Sequence, residues 1–425
     1  MSTLGLLGAG PKALAIAAKA KVLRNLGLGS IDVVLIEQRA VAADWRGTDG
    51  WTDGEPHLGT PPEKDIGFPY RSCFGSAVDT AVAAYSWQRC LIDNGIYADW
   101  VDRGRPQPQH RAWAMYLGWV FDQIQPTLRA ARLTQVEAAG DTALALTLEH
   151  DGTQEALIVD GLVITGPGDP LTLPTISCDN THCILDGRNY WLKRQLFTSM
   201  QGGRVAVIGS GETAASIAVS LLSVPGLSID IISRRGVIYS RGESYAESHL
   251  FSDPEFWPEL SEQERQEFIQ RTDRGVFSRA AQQALDAATN VSITPGAAIG
   301  AAVENGEATL TTEWRGQVRR ARYDKIIVAI GFDPTSAFSL LSPALRPQLA
   351  TDEVQRRIDE QLCIPGRNIH MPMLAGLAQG PGFPNLSCLG LLADRVLSRY
   401  IHPPELRTMP AFTRMQSEDV GRSAK

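Results

Sequence analysis

What the chain does not have narrows the field first. Its six cysteines, at positions 73, 90, 178, 183, 363 and 388, show neither the density of a disulfide scaffold nor the C-x-x-C pairing of a zinc site. They read as reduced, mostly buried thiols. Positive charge is not in surplus: 40 Lys and Arg against 47 Asp and Glu leave a formal net charge of −7, so there is no field to collect phosphate backbones or anionic lipid. Nucleic acid and membrane surfaces are poor partners for such a chain, and a small molecule is expected instead. No apolar run approaches the roughly 20 residues of a membrane helix. The Leu- and Ala-rich opening lacks a basic leader and contains Gly8, Gly10, Pro11 and Lys12, which makes it strand, turn and helix and places the protein in the cytoplasm. His57, His110, His182 and His249 fall into no metal-ligand spacing, and neither G-x-S-x-G nor H-E-x-x-H occurs, so no metal role is expected.

What is present is a nucleotide-binding pattern, twice. The 425 residues, 44% of them hydrophobic, suffice for two or three domains with separate cores. The opening LGLLGAGPKALAIAAKAKVLRNLG, followed by IDVVLIEQ, reads as strand, glycine turn, helix and second strand ending in acid. Gly8 permits the turn, Gly10 lets backbone N–H groups approach a pyrophosphate, Pro11 and Lys12 open the helix, and Ala13 keeps helix and strand close. Glu37 stands where a carboxylate accepts both hydroxyls of an adenosine ribose; Gln38, Trp45 and Leu58, further along, are assigned to the same site. An N-terminal fingerprint ending in Glu is the flavin arrangement of two-site proteins, so this half is read as the FAD site. In GGRVAVIGSGETAASIAVSLL, Gly209, Gly211 and Ala214 repeat the spacing, with Glu212 and Thr213 opening the helix. Its second strand ends in Ser233, Arg234 and Arg235 where the first ends in acid. A guanidinium fork pairs with a 2′-phosphate, which favours NADPH over NADH; the competing reading is a solvated turn.

Each fingerprint has an exit strand. ALIVDGLVITGPGDP runs from Asp160 to Thr165 and Gly166, and YDKIIVAIGFDP runs from Asp324 to Gly331. The two exits bracket an insertion. The expected fold class is therefore α/β, with two Rossmann-like dinucleotide-binding domains. Residues 1–166 begin the FAD domain, 167–332 form the inserted NADPH domain with a helical substrate-facing segment at about 245–290, and 333–425 complete the FAD domain and the substrate site. Two such sites in one chain imply hydride transfer from NADPH to flavin, with a disulfide, a redox partner or oxygen as the final acceptor. Cys178 and Cys183 have a C-x-x-x-x-C spacing, but they follow the first exit and not the first βαβ unit, against a disulfide-reductase role. The F-x-G-x-x-x-H fingerprint of flavin monooxygenases is absent.

The segments WTDGEPHLGTPPEKDIGFPYRS, ESHLFSDPEFWPEL, RTDRGVFS and QGPGFPNLSCLGLLADRVL resemble the lysine N6-hydroxylases of mycobactin- and nocobactin-type siderophore assembly, which belong to the flavin N-hydroxylating monooxygenases together with the ornithine N5-hydroxylases. The resemblance spans nearly the whole chain. It implies FAD, NADPH and O2, a flavin C4a-hydroperoxide shielded from water, and attack on it by the neutral side-chain amine of lysine or acyl-lysine. It also implies that Lys64 holds the substrate carboxylate, that Arg111 lies near the flavin, that Ser387 lies near the substrate, and that the protein self-associates into a homo-oligomer. Ser248 and Asp273 stand where the ornithine enzymes have asparagine. A carboxylate at 273 favours an ammonium beside it, unless it serves as the proton acceptor or faces elsewhere. Ser387 has a second reading as the cap of the helix after it, and Arg111 as an exposed residue opening the helix that carries Trp113, Tyr116 and Trp119.

Overall fold

The structure is a computed structural model and describes residues 2–48, 50–177, 182–304 and 306–402. Cys178 lies outside the described residues; Cys183 is buried, its Sγ 3.7 Å from the Gly306 carbonyl.

Two parallel five-stranded sheets organise the chain. The first has the order Ile369–His370, Gly161–Ile164, Ser2–Leu7, Ile31–Ile36, Thr127–Arg129, so a strand from near the C-terminus closes the edge opposite Thr127–Arg129. Leu4, Leu6, Leu35, Ile36, Leu162 and Val163 are buried, as expected of a parallel sheet covered on both faces. Helix Pro11–Asn25 begins with proline at a position whose N–H has no intrahelical acceptor. It is apolar on nearly every side, from Ala13 to Leu23, and so must be enclosed. Helices Leu389–Leu397, His110–Ile124 and Ser76–Val82 enclose it. Trp113 and Tyr116 belong to this core.

The second sheet has the order Ile184–Asp186, Lys325–Val328, Gly203–Ile208, Leu227–Ser233, Val291–Pro295, again parallel, with helix Glu212–Leu221 packed on it. Between the strands Leu227–Ser233 and Val291–Pro295 the chain leaves the sheet for helices Tyr245–Ser252, Pro254–Glu259, Glu262–Thr272 and Arg279–Asp286. Capping boxes at Ser244/Glu247 and Ser261/Glu264 start two of them. This excursion leans on the C-terminal part of the chain. Trp257 is fully buried and donates to the Leu377 carbonyl at 3.0 Å, Arg356 pairs with Glu262 at 2.9 Å, and Asp253 pairs with Arg71.

A buried histidine fixes the last strand. His370 is fully buried; its Nδ1 lies 2.6 Å from the Gln361 carbonyl, which only accepts, so Nδ1 carries the proton and Nε2 accepts from the Tyr400 hydroxyl at 2.8 Å. Burial pushes its pKa down to about 4. With the folded value below the unfolded one, the neutral ring contributes stability that is present above about pH 6.5 and lost as pH falls through 4, on the order of 3 kcal/mol in all. Asp65, raised to about 6 by burial, acts in the opposite sense, so the histidine's share is read by difference. Chemical denaturation at pH 7 and pH 4.5 should show a smaller loss for His370→Asn than for the natural chain; equal losses would remove the assignment.

Candidate active site

The first fingerprint is shaped for a dinucleotide. Gly8 has φ +104°, and a Cβ there would stand 2.7 Å from Thr165 Oγ1, which itself donates to the Leu7 carbonyl at 2.7 Å. A Cβ at Gly10 would meet nothing within 4 Å. Gly10 is the N-cap of helix Pro11–Asn25, no side chain caps it and no acid sits in its first turn, leaving free amides and a positive helix end for an anion. Glu37, at the end of the adjacent strand, accepts the Arg39 N–H at 2.9 Å, while Gln38 is exposed and Gly166 lies just past the exit strand. Trp45 stands edge-on to His110, with centroids 4.7 Å apart, and Leu58 is buried with its N–H on the Pro108 carbonyl.

The second fingerprint opens onto a cavity of about 770 Å³. Gly209 has φ +140°, and a Cβ there would overlap the Ala329 carbonyl; Gly211 caps its helix with no neighbour closer than 3.9 Å. Glu212, Thr213 and Gly331 line the cavity, as do Arg234 and Arg235. Ser233 does not. It is fully buried and its Oγ accepts the Arg235 N–H at 3.2 Å, so the hydroxyl braces the turn and the arginines face the opening. The same cavity reaches Gln270, Asp273 and Arg274 at the end of helix Glu262–Thr272, and Pro384 and Asn385 from the C-terminal segment. It thus joins helix Glu212–Leu221 to parts of the chain that the sequence keeps far apart.

Asp273 sits 3.2 Å from Arg274 through its carboxylate. Ser387 is buried, its N–H held by Asn385 Oδ1 at 2.8 Å; the residue that precedes the last helix is Cys388, and no side chain caps that helix, so the capping reading of Ser387 does not hold. Lys64 is half-buried, its pKa lowered by desolvation, with its ammonium 5.6 Å from the Phe68 ring centre and in electrostatic reach of Cys388. Ser248 is half-buried on helix Tyr245–Ser252 and does not line the cavity. Arg111 is 53% exposed, engaged by Glu55 at 2.6 Å and by Gln109, and does not line the cavity.

The family model for L-lysine 6-monooxygenase/L-ornithine 5-monooxygenase matches residues 78–334. The chain is 41% identical, over 95% of its length and 96% of the other, to the L-lysine N6-monooxygenase MbtG of Mycolicibacterium paratuberculosis. The chain belongs to this monooxygenase family. Among solved structures, the lysine monooxygenase NbtG from Nocardia farcinica matches with a TM-score of 0.81 at 37% identity, covering 93% of this chain and all of that one. The ornithine N-hydroxylase KtzI of Kutzneria, with reduced FAD, NADP+ and L-ornithine, matches with a TM-score of 0.77 at 15% identity over 94% of this chain and 98% of that one, a likeness of fold.

Within the family pattern, the second exit motif D-x-x-x-(L/F)-A-T-G-Y here ends in Ile330, Gly331 and Phe332. The missing tyrosine has a packing substitute, since Phe332 stacks on Trp51 with centroids 5.2 Å apart. Sequence reading missed three further contacts, all made by residues of the glycine-rich loop or of the second fingerprint helix. Asp53 pairs with Arg194 at 3.2 Å, Arg241 pairs with Glu212 at 2.9 Å, and Arg241 donates to the Gly59 carbonyl at 3.3 Å. The WTDGEPHLGT segment carried that signal, since a Trp beside two acids on a glycine-rich loop is out of place in plain solvent.

Proposed function

We propose that this protein is an FAD- and NADPH-dependent monooxygenase that hydroxylates the side-chain amine of lysine, for hydroxamate siderophore assembly. The single observation that carries the reading is the continuity of one cavity from the second fingerprint to Asp273 and Asn385, in a chain whose relative at 41% identity is named an L-lysine N6-monooxygenase. On this reading residues 1–166 and 333–425 form the flavin unit and 167–332 the nicotinamide unit. FAD, when bound, supplies the two-electron chemistry between NADPH and oxygen. Gly8, Gly10 and the amides of Lys12 and Ala13 would hold its pyrophosphate, and Glu37 its ribose; Gly209, Gly211, Thr213, Arg234 and Arg235 would hold NADPH, with NADH the weaker alternative.

The protein's own task is the amine. A lysine side chain has a pKa of about 10.4 and is cationic at neutral pH, so it must lose a proton to become a nucleophile. On this reading Lys64 would anchor the substrate carboxylate, Asn385 and Ser387 would flank the bound chain, and Asp273, once released from Arg274, would take the ammonium proton. Phe332, which lines the cavity, and Trp51 stacked on it would supply an apolar screen against water. The chain contains no helix long and apolar enough to cross a membrane among the described residues, and we place it in the cytoplasm as a homo-oligomer. The test is a hydroxylamine-specific product assay on the FAD-loaded chain with NADPH and oxygen, comparing L-lysine, L-ornithine and Nα-acetyl-lysine. Hydroxylated lysine, free or acetylated, with little hydroxylated ornithine is expected; NADPH consumption with peroxide as the sole product from all three would sink the assignment.

A further inference from the structure

Lys12 is a buried cation without a counter-charge. It stands in the first turn of the first fingerprint helix, 8% exposed, and its ammonium donates to the Pro384 carbonyl at 2.9 Å, a contact spanning 372 residues of sequence. An ammonium has three protons to donate, and among the described residues no carboxylate lies within ion-pair distance of this one. The first turn of a helix is also where a cation is least favoured, because the helix dipole is positive there. Two costs, burial and dipole, therefore fall on one charge, and the group that would answer both is an anion at the mouth of this same helix. The contact to Pro384 gives the charge a second consequence: Pro384 begins the segment that carries Asn385, Ser387 and Cys388.

We propose that Lys12 is the charge partner of the dinucleotide at the first site, taking up a proton when the pyrophosphate binds and thereby fastening the Pro384–Cys388 segment over the loaded cofactor. It rests on the reading of that site as the flavin site. Desolvation lowers the Lys12 pKa to about 8. The groups that face it are few. Cys388, from the start of the last helix, is neutral throughout the range of interest, its thiol pushed up to about 12 by burial; Asp273, from the end of helix Glu262–Thr272, is the one carboxylate in electrostatic reach. On the elements packed against its helix, Asp394 is engaged by Lys19, Arg395 by Glu360, Asp79 by the Ser72 N–H, Arg111 by Glu55 and Asp32 by Arg24; His110 is bonded to Thr52, and Asp122 lies towards the far end of helix His110–Ile124.

The sign follows from linkage. Binding that favours the protonated lysine is tightest below the free protein's pKa and weakens as pH rises through it, by about thirtyfold between pH 7 and pH 9.5 for a pKa of about 8. FAD titration of the full chain stripped of flavin, followed by flavin fluorescence, should show that fall. Calorimetry in two buffers of different ionisation enthalpy should show uptake of about half a proton at pH 8. Lys12→Met should bind more weakly at pH 7 and lose the pH dependence, and in the apo chain and the variant alike segment 382–388 should exchange its amide hydrogens faster than in the loaded natural chain. The calorimetry stands alone if the variant does not fold. Tight FAD binding that is flat from pH 7 to 9.5, or a Lys12→Met variant that keeps the natural slope, would overturn the role of Lys12 while leaving the flavin site intact. Failure of the natural chain to bind FAD would remove both.

Discussion

Replacing Lys19 by methionine is expected to cost about 3–5 kcal/mol of folding stability, the penalty for stranding a buried charge. Lys19 and Asp394 have side chains 2% and 5% exposed and meet at 2.6 Å. The arrangement is fully answered: the ammonium also donates to the Gly390 carbonyl at 2.7 Å, while the carboxylate accepts from the Ser72 hydroxyl at 2.8 Å and from the Cys73 N–H at 3.3 Å. Three segments, the fingerprint helix, the loop before helix Ser76–Val82 and the last helix, converge on this point. Without the ammonium, Asp394 keeps two donors but no cation, and burial already pushes its carboxyl above the usual range. Urea unfolding at pH 7 measures the loss. The loss should shrink at pH 5, where the stranded carboxylate can take a proton, and Lys19→Met with Asp394→Leu should recover most of it, because a well-packed apolar pair replaces a buried ion pair at little cost. A single variant within 1 kcal/mol of the natural chain would mean that the pair is hydrated in solution.

Lys64→Met should raise KM for lysine by about thirty- to a hundredfold and change kcat little, corresponding to about 2–3 kcal/mol for losing one side of a partly desolvated charge pair. The residue is free for the task. Its ammonium has no carboxylate within ion-pair distance among the described residues, rests against Phe68 and is already partly stripped of water. A lysine analogue lacking the α-carboxylate, cadaverine, separates recognition from damage. The natural chain should handle cadaverine poorly, and the variant should handle it no worse than the natural chain does. If both substrates lose equally in the variant, Lys64 holds the loop together and does not hold the carboxylate.

Much of the fold was legible because it is local. A strand, a glycine turn and a small-residue helix announce themselves within about 25 residues, and helices Pro11–Asn25 and Glu212–Leu221 begin where the glycine spacing requires. The helical segment expected at about 245–290 carried no fingerprint, and the structure supplies its local reason in the capping boxes at Ser244/Glu247 and Ser261/Glu264. The site was less legible because burial is not local. Lys12 reads as an ordinary helix-opening lysine until the C-terminal segment docks on it. Arg111 reads as an active-site arginine by motif, yet its half-exposed guanidinium is held by Glu55 and Gln109, away from the cavity. Ser233 reads as a ligand by position, but it is the last residue of its strand, enclosed by the sheet, and Arg235 turns its hydroxyl to backbone use. Arg274 and Asn385 share one cavity across a stretch of chain that no spacing rule connects.

The helical excursion between two strands of the second sheet has a consequence for how such enzymes diversify. Asp273 lies in the stretch 167–332 proposed to bind the nicotinamide nucleotide, whereas Lys64 and Ser387 lie outside it, and Trp257 bonds across to the Leu377 carbonyl. On the proposed assignment, neither half alone supplies all the residues that handle the amine. If that assignment holds, a chimera that exchanges residues 167–332 between relatives to change coenzyme preference should also shift amine specificity, whereas an exchange that stops short of residue 245 should not.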